Sequence, residues 1–431
     1  MIWDARAETL ERPARERRQL ERLRETLAWA AARVPFYRER LPATPLGSLD
    51  DLPGLPFTHK ADLRDTYPFG LLAVPLAEVA RIHASSGTRG KPTVVGYTAS
   101  DLAVRREVMA RVLVAAGARP GDLLQFAFGY GLFTGGLGFH EGAERVGMTV
   151  VPASSGNTAR HRLLLEDFHP AGLAATPSFA LHIAETISGD GRDPRALGLR
   201  YGMFGAEPWS EAVRTALERA FGCQAYDIYG LSEIIGPGVS GECEARDGLH
   251  VADDHFLPEI VDPVSGMPVL EGREGELVLT TLTKRALPLI RYRTGDITAL
   301  TTAPCACGRT STRMARVKGR SDDMIVIRGV NLYPSEVERT LLAVDGLEPH
   351  YLLVVDRSGA LARLEVEVEP SAEPLDRAGG FRPDHPALVA LREEAASRLG
   401  QALGLSVAVS LVAPRTIPRS EGKAVRVVER G

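Results

Sequence analysis

Short apolar runs alternate with helical patterns between about residues 98 and 230, and few folds accommodate that alternation. The pattern predicts helices over residues 100–116, 138–146, 180–187 and 210–221, and strands over 123–128, 149–152, 172–176, 201–204 and 224–229. Strands that alternate with helices build βαβ units, whose strands join a parallel sheet with helices on both faces. We therefore predict an α/β fold with a doubly wound parallel sheet in this part of the chain.

The flanking segments have other textures. A helical pattern over residues 15–33, ended by Val34-Pro35, opens the chain, and β-branched, turn-rich segments after residue 248 predict an antiparallel sheet or small barrel. From residue 317 the pattern predicts an α+β unit: a capping box at 335–338, strands over 351–355, 361–368 and 407–412, a loop over 370–386 and a helix over 386–403. We expect a large domain over 1–320, with an α/β core at 98–230 and a β-rich subdomain at 248–316, and a small domain over 321–431.

Composition excludes several classes of protein. The 431 residues include 51 Lys and Arg against 55 Asp and Glu, so the net charge of -4 provides no broad positive field for nucleic acid. No stretch approaches the roughly 20 apolar residues of a membrane span, and the first residues lack the apolar run of a secretory signal. We expect a cytoplasmic protein with neither a nucleic-acid nor a membrane partner.

Residues 85–92 (Ser-Ser-Gly-Thr-Arg-Gly-Lys-Pro) combine hydroxyls, glycines and a lysine. Small residues let consecutive backbone N–H groups converge on phosphate oxygens, and Lys91 adds positive charge. Pro92 stands where a Walker loop has Ser or Thr, so a P-loop nucleotidase is not expected. By itself the segment could also be a polar surface loop. Lysine is rare in this chain beside arginine, which draws attention to the lysines at Lys60, Lys91, Lys284, Lys318 and Lys423.

Four residues could bind zinc. Cys305 and Cys307 share a turn-rich loop, and Cys243 and His250 lie upstream. Three sulfurs and an imidazole make a tetrahedral structural zinc site, but reduced free cysteines are an equal alternative at this spacing. Cys223, at the entry to a predicted strand, is interpreted as a core residue.

Seven segments, in order along nearly the whole chain, resemble those of phenylacetate-CoA ligases in the acyl-adenylate-forming, or AMP-binding, superfamily. They are residues 56–64, 80–85, 129–136, 229–238, 289–296, 319–324 and 418–423. The resemblance implies a large adenylation domain and a small mobile domain that join a carboxylic acid to CoA, with an aryl acid such as phenylacetate as the expected substrate. The reaction would use ATP and Mg²⁺ and pass through an acyl-adenylate. The resemblance also implies a homodimer.

The resemblance assigns roles to individual residues. Adenylation brings a carboxylate against a triphosphate, and the two anions repel, so Lys423 would neutralise the α-phosphate while Glu233 holds Mg²⁺. Asp296 would bind the ribose hydroxyls, assisted by Arg320, and Tyr229 would pack on adenine. Taken alone, Lys423 and Glu233 are more readily interpreted as a surface lysine and a helix-start glutamate, and Asp296 could be an aspartate that caps a turn. Other nucleotide contacts are assigned to Ser85, Ser86, Gly87, Thr88, Gly90, Lys91, Gly205, Ala206, Glu207, Asp227, Gly230 and Ser232.

Further positions follow from the same resemblance. Asp322 matches the hinge about which the small domain rotates, and Arg328 and Gly329 would line the CoA tunnel in the second pose. Arg89 departs from the family pattern, which more often has threonine there. An apolar slot for an aryl ring is expected among residues that could also be core packing, namely Tyr130, Phe133, Ile235, Gly236 and Pro237.

Other functions stay open at this point. An adenylating enzyme could load its acyl group onto a carrier protein instead of CoA. The acid could be aliphatic or hydroxylated, since pocket substitutions change discrimination by only ~1 to 3 kcal/mol per methylene. A zinc-containing nucleotide sensor without turnover would have no need of Lys423, Glu233 and Asp296 together.

Overall fold

The computed structural model describes residues 1–85, 91–321, 324–327, 330–356 and 363–430. Its α-helices are α1 (Ala5–Glu8), α2 (Arg12–Arg33), α3 (Pro35–Arg38), α4 (Lys60–Asp65), α5 (Ala99–Ala115), α6 (Gly135–Val146), α7 (Thr158–Phe168), α8 (Pro177–Gly189), α9 (Glu211–Phe221), α10 (Pro334–Leu341), α11 (Ala372–Ala378) and α12 (Pro386–Leu403). Short 3-10 helices lie at Leu49–Gly54, Leu76–Glu78 and Pro194–Leu197.

The strands in the same residues are β1 (Arg81–Ala84), β2 (Val94–Tyr97), β3 (Leu123–Phe126), β4 (Thr149–Val151), β5 (Gly172–Ala175), β6 (Tyr201–Gly205), β7 (Gln224–Leu231), β8 (Gly236–Glu242), β9 (Leu249–Val251), β10 (Phe256–Val261), β11 (Gly275–Thr281), β12 (Tyr292–Thr298), β13 (Leu300–Thr301), β14 (Arg313–Met314), β15 (Gly319–Arg320), β16 (Ile325–Ile327), β17 (Val330–Leu332), β18 (Leu347–Asp356), β19 (Arg363–Pro370), β20 (Ala408–Leu411) and β21 (Val427–Arg430).

The largest sheet in the described residues has nine strands in the order β13-β14-β9-β8-β7-β6-β5-β3-β4. The neighbours from β4 through β3, β5 and β6 to β7 are all parallel. This confirms the parallel sheet that the alternating pattern predicts. The strand order also brings the carboxyl ends of β3, β5, β6 and β7 to one edge, where open α/β sheets bind their ligands.

Helices cover both faces of this sheet because successive strand side chains point in opposite directions. On β6, Met203 packs with α5 and α6 in one apolar cluster, whereas its neighbour Phe204 packs with α8 and α9 in another. Both side chains are fully buried. Burial of one side chain of this size contributes about 1.5 to 3 kcal/mol, so both faces stabilise the fold. The sheet is doubly wound, as predicted.

The β-rich segment divides between two sheets. β10, β11, β12 and β15 form a four-stranded antiparallel sheet, in agreement with the predicted texture. β9, β14 and β13, in contrast, extend the nine-stranded sheet, because β8 turns back on β7 and β9 pairs with β8. The antiparallel extension therefore carries His250, on β9, to the border of the parallel core.

The C-terminal unit has its own core, in which α10 and α12 pack on a sheet of order β20-β19-β18-β21. Helix α12 lies where the sequence predicts it. The capping box predicted at residues 335–338 is wrong: the helix starts with Pro334, and its N-cap Tyr333 makes no side-chain cap. Glu338 accepts instead from Ser210 N at 3.0 Å and from Tyr351 Oη at 3.0 Å. The loop predicted over 370–386 also contains α11.

A search of the described helices for a membrane span finds none that is both long and apolar enough.

Candidate active site

A cavity opens at the carboxyl edge of the parallel strands. Phe128 follows β3, Ala206 follows β6 and Ile228 lies near the end of β7, so three strands contribute to its wall. The lining consists of apolar, aromatic and small residues with a few hydroxyls: Phe128, Phe133, Thr134, Gly135, Phe139, Ala206, Ile228, Tyr229, Gly230, Leu231, Ser232, Gly236 and Pro237. None of these carries a charge, which suits the uncharged tail of a ligand.

Glu233 lies in the turn between β7 and β8, and is buried. Its Oε1 accepts from Thr93 Oγ1 at 3.2 Å, and Thr93 Oγ1 in turn lies 2.5 Å from Ser85 Oγ. A carboxylate beside two hydroxyls gives a set of hard oxygen donors, the type that Mg²⁺ prefers. The donor set therefore fits a magnesium ion. Sequence reasoning missed Thr93, because a lone threonine after a loop carries no signal of its own.

Two buried side chains donate hydrogen bonds to the backbone of the same turn. Lys284 Nζ donates to the backbone carbonyl of Glu233 at 2.8 Å, and Tyr97 Oη donates to that of Ser232 at 2.9 Å. The ammonium also lies 4.7 Å from the centroid of the Tyr97 ring. Burial lowers the pKa of Lys284 to about 7. The rarity of lysine is the signal that singles out this residue, although its role as a support of Glu233 could not be predicted.

Asp296 contacts Tyr229, one of the residues that line the cavity. Tyr229 Oη donates to Asp296 Oδ2 at 2.5 Å, and Arg320 Nη1 donates to Asp296 Oδ1 at 3.1 Å. The strand register explains the contact between Asp296 and Arg320, since Asp296 on β12 is paired directly with Arg320 on β15. Burial and the Asp296 carboxylate raise the pKa of Tyr229 well above its ordinary value. The structure thus brings together the three residues assigned to adenine and ribose.

The segment of residues 205–207 forms the rim after β6. A Cβ at Gly205 would come within 2.4 Å of the carbonyl of Ile228, so the strands can approach only where this side chain is absent. Ala206 has a φ of 68°, in the left-handed region that costs a non-glycine residue about 1 kcal/mol or more. This conformation lets Ala206 line the cavity while the next residue, Glu207, turns toward the C-terminal unit.

Residues 419–424, the lysine loop, carry Lys423 and lie against the large domain. Arg419 Nε donates to Glu185 Oε2 at 2.9 Å, and Thr158 Oγ1 donates to Glu421 Oε1 at 2.9 Å. Ala424 N donates to Glu207 Oε2 at 2.8 Å. Glu207 follows directly on the residue that lines the cavity, so the loop is seated at the edge of the sheet where the other candidate residues collect.

Some predicted residues lie elsewhere. Tyr130 packs on Phe126 and bonds to His140, and Ile235 is buried in the apolar core, so neither lines the cavity. Asp227 accepts from Trp209 Nε1 at 3.0 Å, and burial raises its pKa well above the ordinary value. Lys91 Nζ lies 5.0 Å from the centroid of the Tyr67 ring. Outside the described residues fall Ser86, Gly87, Thr88, Arg89, Gly90, Asp322, Arg328 and Gly329.

The predicted cysteine and histidine cluster is assembled. Ligand atoms of Cys243, His250, Cys305 and Cys307 all lie within 4.8 Å of one another. Cys243 Sγ and Cys305 Sγ are 3.7 Å apart, and Cys307 Sγ is 3.3 Å from His250 Nε2. Two sulfurs bound tetrahedrally at ~2.3 Å would be separated by about 3.8 Å, so the group fits zinc. His250 Nδ1 contacts Ser311 Oγ at 3.0 Å, which leaves Nε2 for a ligand bond.

Comparisons with known proteins agree with this geometry. Residues 56–282 match the family model described as AMP-binding enzyme, and residues 329–430 match the one described as AMP-binding enzyme C-terminal domain. The phenylacetate-coenzyme A ligase of Thermus thermophilus is 53% identical, over 99% of each chain. The enzyme of the same name from Escherichia coli is 47% identical, over 95% of this chain and 94% of the relative. The chain belongs to the phenylacetate-CoA ligase family.

Solved structures of a related CoA ligase in different states superpose to different degrees on this phenylacetate-CoA ligase family member. A 2-hydroxyisobutyryl-CoA ligase in the postadenylation state, complexed with 2-HIB-AMP, superposes with a TM-score of 0.93 at 33% identity, covering 100% of this chain and 92% of the other. The same enzyme in the thioesterification state, with 2-HIB-AMP and CoA, gives a TM-score of 0.73 at 34% identity, covering 99% and 92%. The present arrangement of large and small domains is therefore closer to the postadenylation state.

Proposed function

We propose that this chain is an AMP-forming acid-CoA ligase that converts phenylacetate, ATP and CoA to phenylacetyl-CoA, AMP and pyrophosphate. The observation that carries the proposal is the uncharged cavity with three phenylalanines beside the Asp296, Tyr229 and Arg320 contact. An aryl ring suits such a wall, because aromatic pairs add about 0.5 to 1.5 kcal/mol beyond the burial of their area. The relatives named phenylacetate-coenzyme A ligase support the same acid.

In the first half-reaction, a carboxylate oxygen of the acid bonds to the α-phosphorus of ATP, and the bond to the β-phosphate breaks to release pyrophosphate. Lys423 would offset the charge that builds up on the α-phosphate. Asp296 and Arg320 would hold the ribose, and Tyr229 the adenine. Mg²⁺ bound at Glu233 would supply further positive charge at the phosphates. In the second half-reaction, the thiol of CoA gives its proton to water and its sulfur bonds to the acyl carbon. The bond from that carbon to the phosphate oxygen breaks, and AMP leaves with the electron pair.

In the second half-reaction, CoA must reach the acyl-adenylate. The lysine loop now lies against the large domain, which supports the assignment of the present arrangement to the first half-reaction. We propose that the small domain, from about residue 321, rotates about Asp322 between the half-reactions. Arg328 and Gly329 would then line the path of the pantetheine chain. Ser86, Gly87, Thr88 and Gly90 would meet the phosphates. These assignments rest on the resemblance of the segments to the family.

The Cys243, His250, Cys305 and Cys307 cluster is proposed to hold a structural zinc ion. Four protein ligands leave no open position for substrate, which is typical of structural sites. We also propose that the enzyme works in the cytoplasm, as a homodimer. The homodimer rests on the likeness to the family alone.

A hydroxy acid is the second candidate substrate. Thr134 Oγ1 and Ser232 Oγ lie 2.9 Å apart on the cavity wall and could bond to a substrate hydroxyl. The 2-hydroxyisobutyryl-CoA ligase shares the fold over the whole chain. Here the two hydroxyls satisfy each other, which leaves the aryl acid as the preferred assignment.

The decisive experiment measures ATP- and Mg²⁺-dependent pyrophosphate release over a panel of aryl, short aliphatic and 2-hydroxy acids, with and without CoA. Mass spectrometry identifies the acyl product. Phenylacetyl-CoA formed with the highest kcat/KM supports the proposal. A higher kcat/KM for 2-hydroxyisobutyrate moves the assignment to a hydroxy acid, and an adenylate that never reaches CoA moves it to carrier loading.

A further inference from the structure

The carboxylate of Glu207 joins the two domains at the lysine loop. Its Oε1 accepts from the backbone N–H of Ser178 on α8 at 2.8 Å, and its Oε2 accepts from the backbone N–H of Ala424 at 2.8 Å. Ala424 is the residue after Lys423. One carboxylate thus binds a fixed helix of the large domain and the backbone adjacent to the proposed adenylating lysine.

Neighbouring groups complete the seat of this loop. Thr176 Oγ1 and Ser178 Oγ donate to the carbonyl of Gly422 at 2.8 and 3.3 Å. The loop is therefore held on both sides of Lys423, at Gly422 through neutral hydroxyls and at Ala424 through a charged acceptor. Hydrogen bonds to an ionised group are roughly twice as strong as neutral ones, so the contact from Glu207 is the stronger of the two.

The placement matters because lysine ends in a compact charge on a flexible stem of four carbons. Such a charge stabilises a transition state only when its backbone is fixed, and a displacement of about 1 Å can cost a rate of about 10²-fold. An anchor one residue away limits that displacement. The contact joins two domains, so it exists only while the small domain occupies the present arrangement.

We propose that Glu207 is a positioning residue for Lys423, and that it acts in the adenylation half-reaction alone. The inference rests on the proposed function, and goes beyond the nucleotide contact that the family resemblance assigns to Glu207. A purely structural role is the alternative, because Ser178 N is one of the first N–H groups of α8 and needs an acceptor in any case.

Glu207→Gln tests the two roles, since it keeps the shape but replaces one acceptor oxygen by a donor. Acid-dependent pyrophosphate exchange should fall about 10- to 100-fold. CoA transfer to presynthesised phenylacetyl-AMP should stay within about threefold of wild type. Glu373→Gln is the matched control, since Glu373 is an exposed carboxylate on α11 of the small domain. Equal loss in both half-reactions, or no loss in either, overturns the inference.

A double variant separates positioning from folding. If Glu207 acts through Lys423, adding Glu207→Gln to Lys423→Ala should lower pyrophosphate exchange no further, because the two effects are not additive. A further 10-fold loss in that background would contradict the proposal. Wild type is assayed first: if it releases no pyrophosphate with any acid, the proposed function fails. An active wild type with an unaffected Glu207→Gln fails the present inference only.

Discussion

Lys423 is the residue proposed to stabilise the charge on the α-phosphate in the first half-reaction. A variant at this position should therefore affect the first half-reaction and leave the second unchanged. Lys423→Ala removes a charge that is expected to act at the α-phosphate only while the lysine loop is seated. Adenylation should fall by roughly 10²- to 10³-fold, the loss found when one group that stabilises transition-state charge is deleted. CoA transfer to presynthesised phenylacetyl-AMP should continue.

Single-turnover assays of each half-reaction check this prediction. Arg377→Ala serves as the control, since Arg377 is an exposed cation of the small domain that pairs with Glu373 on the same helix. An equal decrease of both half-reactions in Lys423→Ala would sink the two-pose assignment.

Lys284 supplies a prediction on stability and pH. In the unfolded chain a lysine keeps its proton up to about pH 10.5, whereas burial lowers the folded pKa to about 7. Between these values the unfolded state binds more protons, so this group makes the free energy of unfolding rise with pH. Lys284→Met should weaken that rise. Urea unfolding at pH 7 and pH 9 measures it, and the same slope in both proteins would exclude the assigned pKa.

Lys284→Met also tests the support of Glu233. Without the donor at 2.8 Å, the carbonyl of Glu233 loses its buried partner, which costs about 1 to 3 kcal/mol and loosens the turn. The Mg²⁺ concentration for half-maximal adenylation should therefore increase. Lys60→Met is a suitable comparison, because Lys60 lies on α4, whereas the Glu233 turn joins β7 to β8.

The part of the candidate site that could be predicted consists of residues within the family-like segments. Asp296, Arg320 and Tyr229 meet as the family resemblance implies: strand register pairs Asp296 with Arg320, and Tyr229 reaches Asp296 from β7 of the other sheet. Thr93 could not be found, since Glu233, the carboxylate that it bonds to, is far away in the sequence. Contacts of that kind arise from packing of separate segments, which local patterns do not record.

At the scale of elements, helices and strands with a regular apolar pattern were predicted well, whereas their irregular ends were predicted poorly. α12 and the parallel strands repeat strongly, and the structure has them where the sequence predicts them. Helix α7 was not predicted, because charged residues interrupt its apolar pattern. Its N-cap, Asn157, also has a φ of 56°, in the left-handed region. The predicted box at residues 335–338 failed for another reason: Glu338 is used in a contact with the large domain.

The loop between β13 and β14 yields a prediction about the proposed zinc. This loop carries Cys305 and Cys307, and it also holds the N-terminal segment, since Thr310 N donates to the carbonyl of Glu8 at 2.9 Å. Cys305→Ser should lose the bound metal and lower the thermal midpoint by about 5 °C, as local stability is lost. It should also speed proteolysis near α1.

Metal content by mass spectrometry and limited proteolysis test this outcome. Cys223→Ala is the matched control, because Cys223 is buried in the core of the α8 and α9 layer, apart from the cluster. Purified wild type that contains no zinc, or a Cys305→Ser variant that retains it, would contradict the assignment.

At the scale of the whole molecule, the division into a large and a small domain could be predicted, because the pattern changes from alternating βα to a separate α+β unit. Their arrangement could not, since it depends on side chains such as Glu185, His350 and Arg419 that no periodicity connects. Both His350 and Arg419 of the small domain bond to Glu185 of α8. Burial opposes ionisation of Glu185, but bonds from His182, His350 and Arg419 outweigh it and hold its pKa well below the usual range.

Because Glu185 is ionised at neutral pH and contacts the guanidinium of Arg419 and the imidazole of His350 in the small domain, it should stabilise the present arrangement relative to the thioesterification pose. Glu185→Gln removes that charge, so more molecules should leave the arrangement, and small-angle scattering of the adenylate complex should change accordingly. A shift of about 1 kcal/mol changes the ratio of two poses about fivefold, which is also the expected loss in adenylation. Glu166→Gln, which affects a pair with Arg192 inside the large domain, should leave scattering unchanged. If Glu185→Gln scatters like wild type while adenylation falls, the carboxylate acts locally and the arrangement of the domains is set by other contacts, foremost those of Glu207 and Glu338.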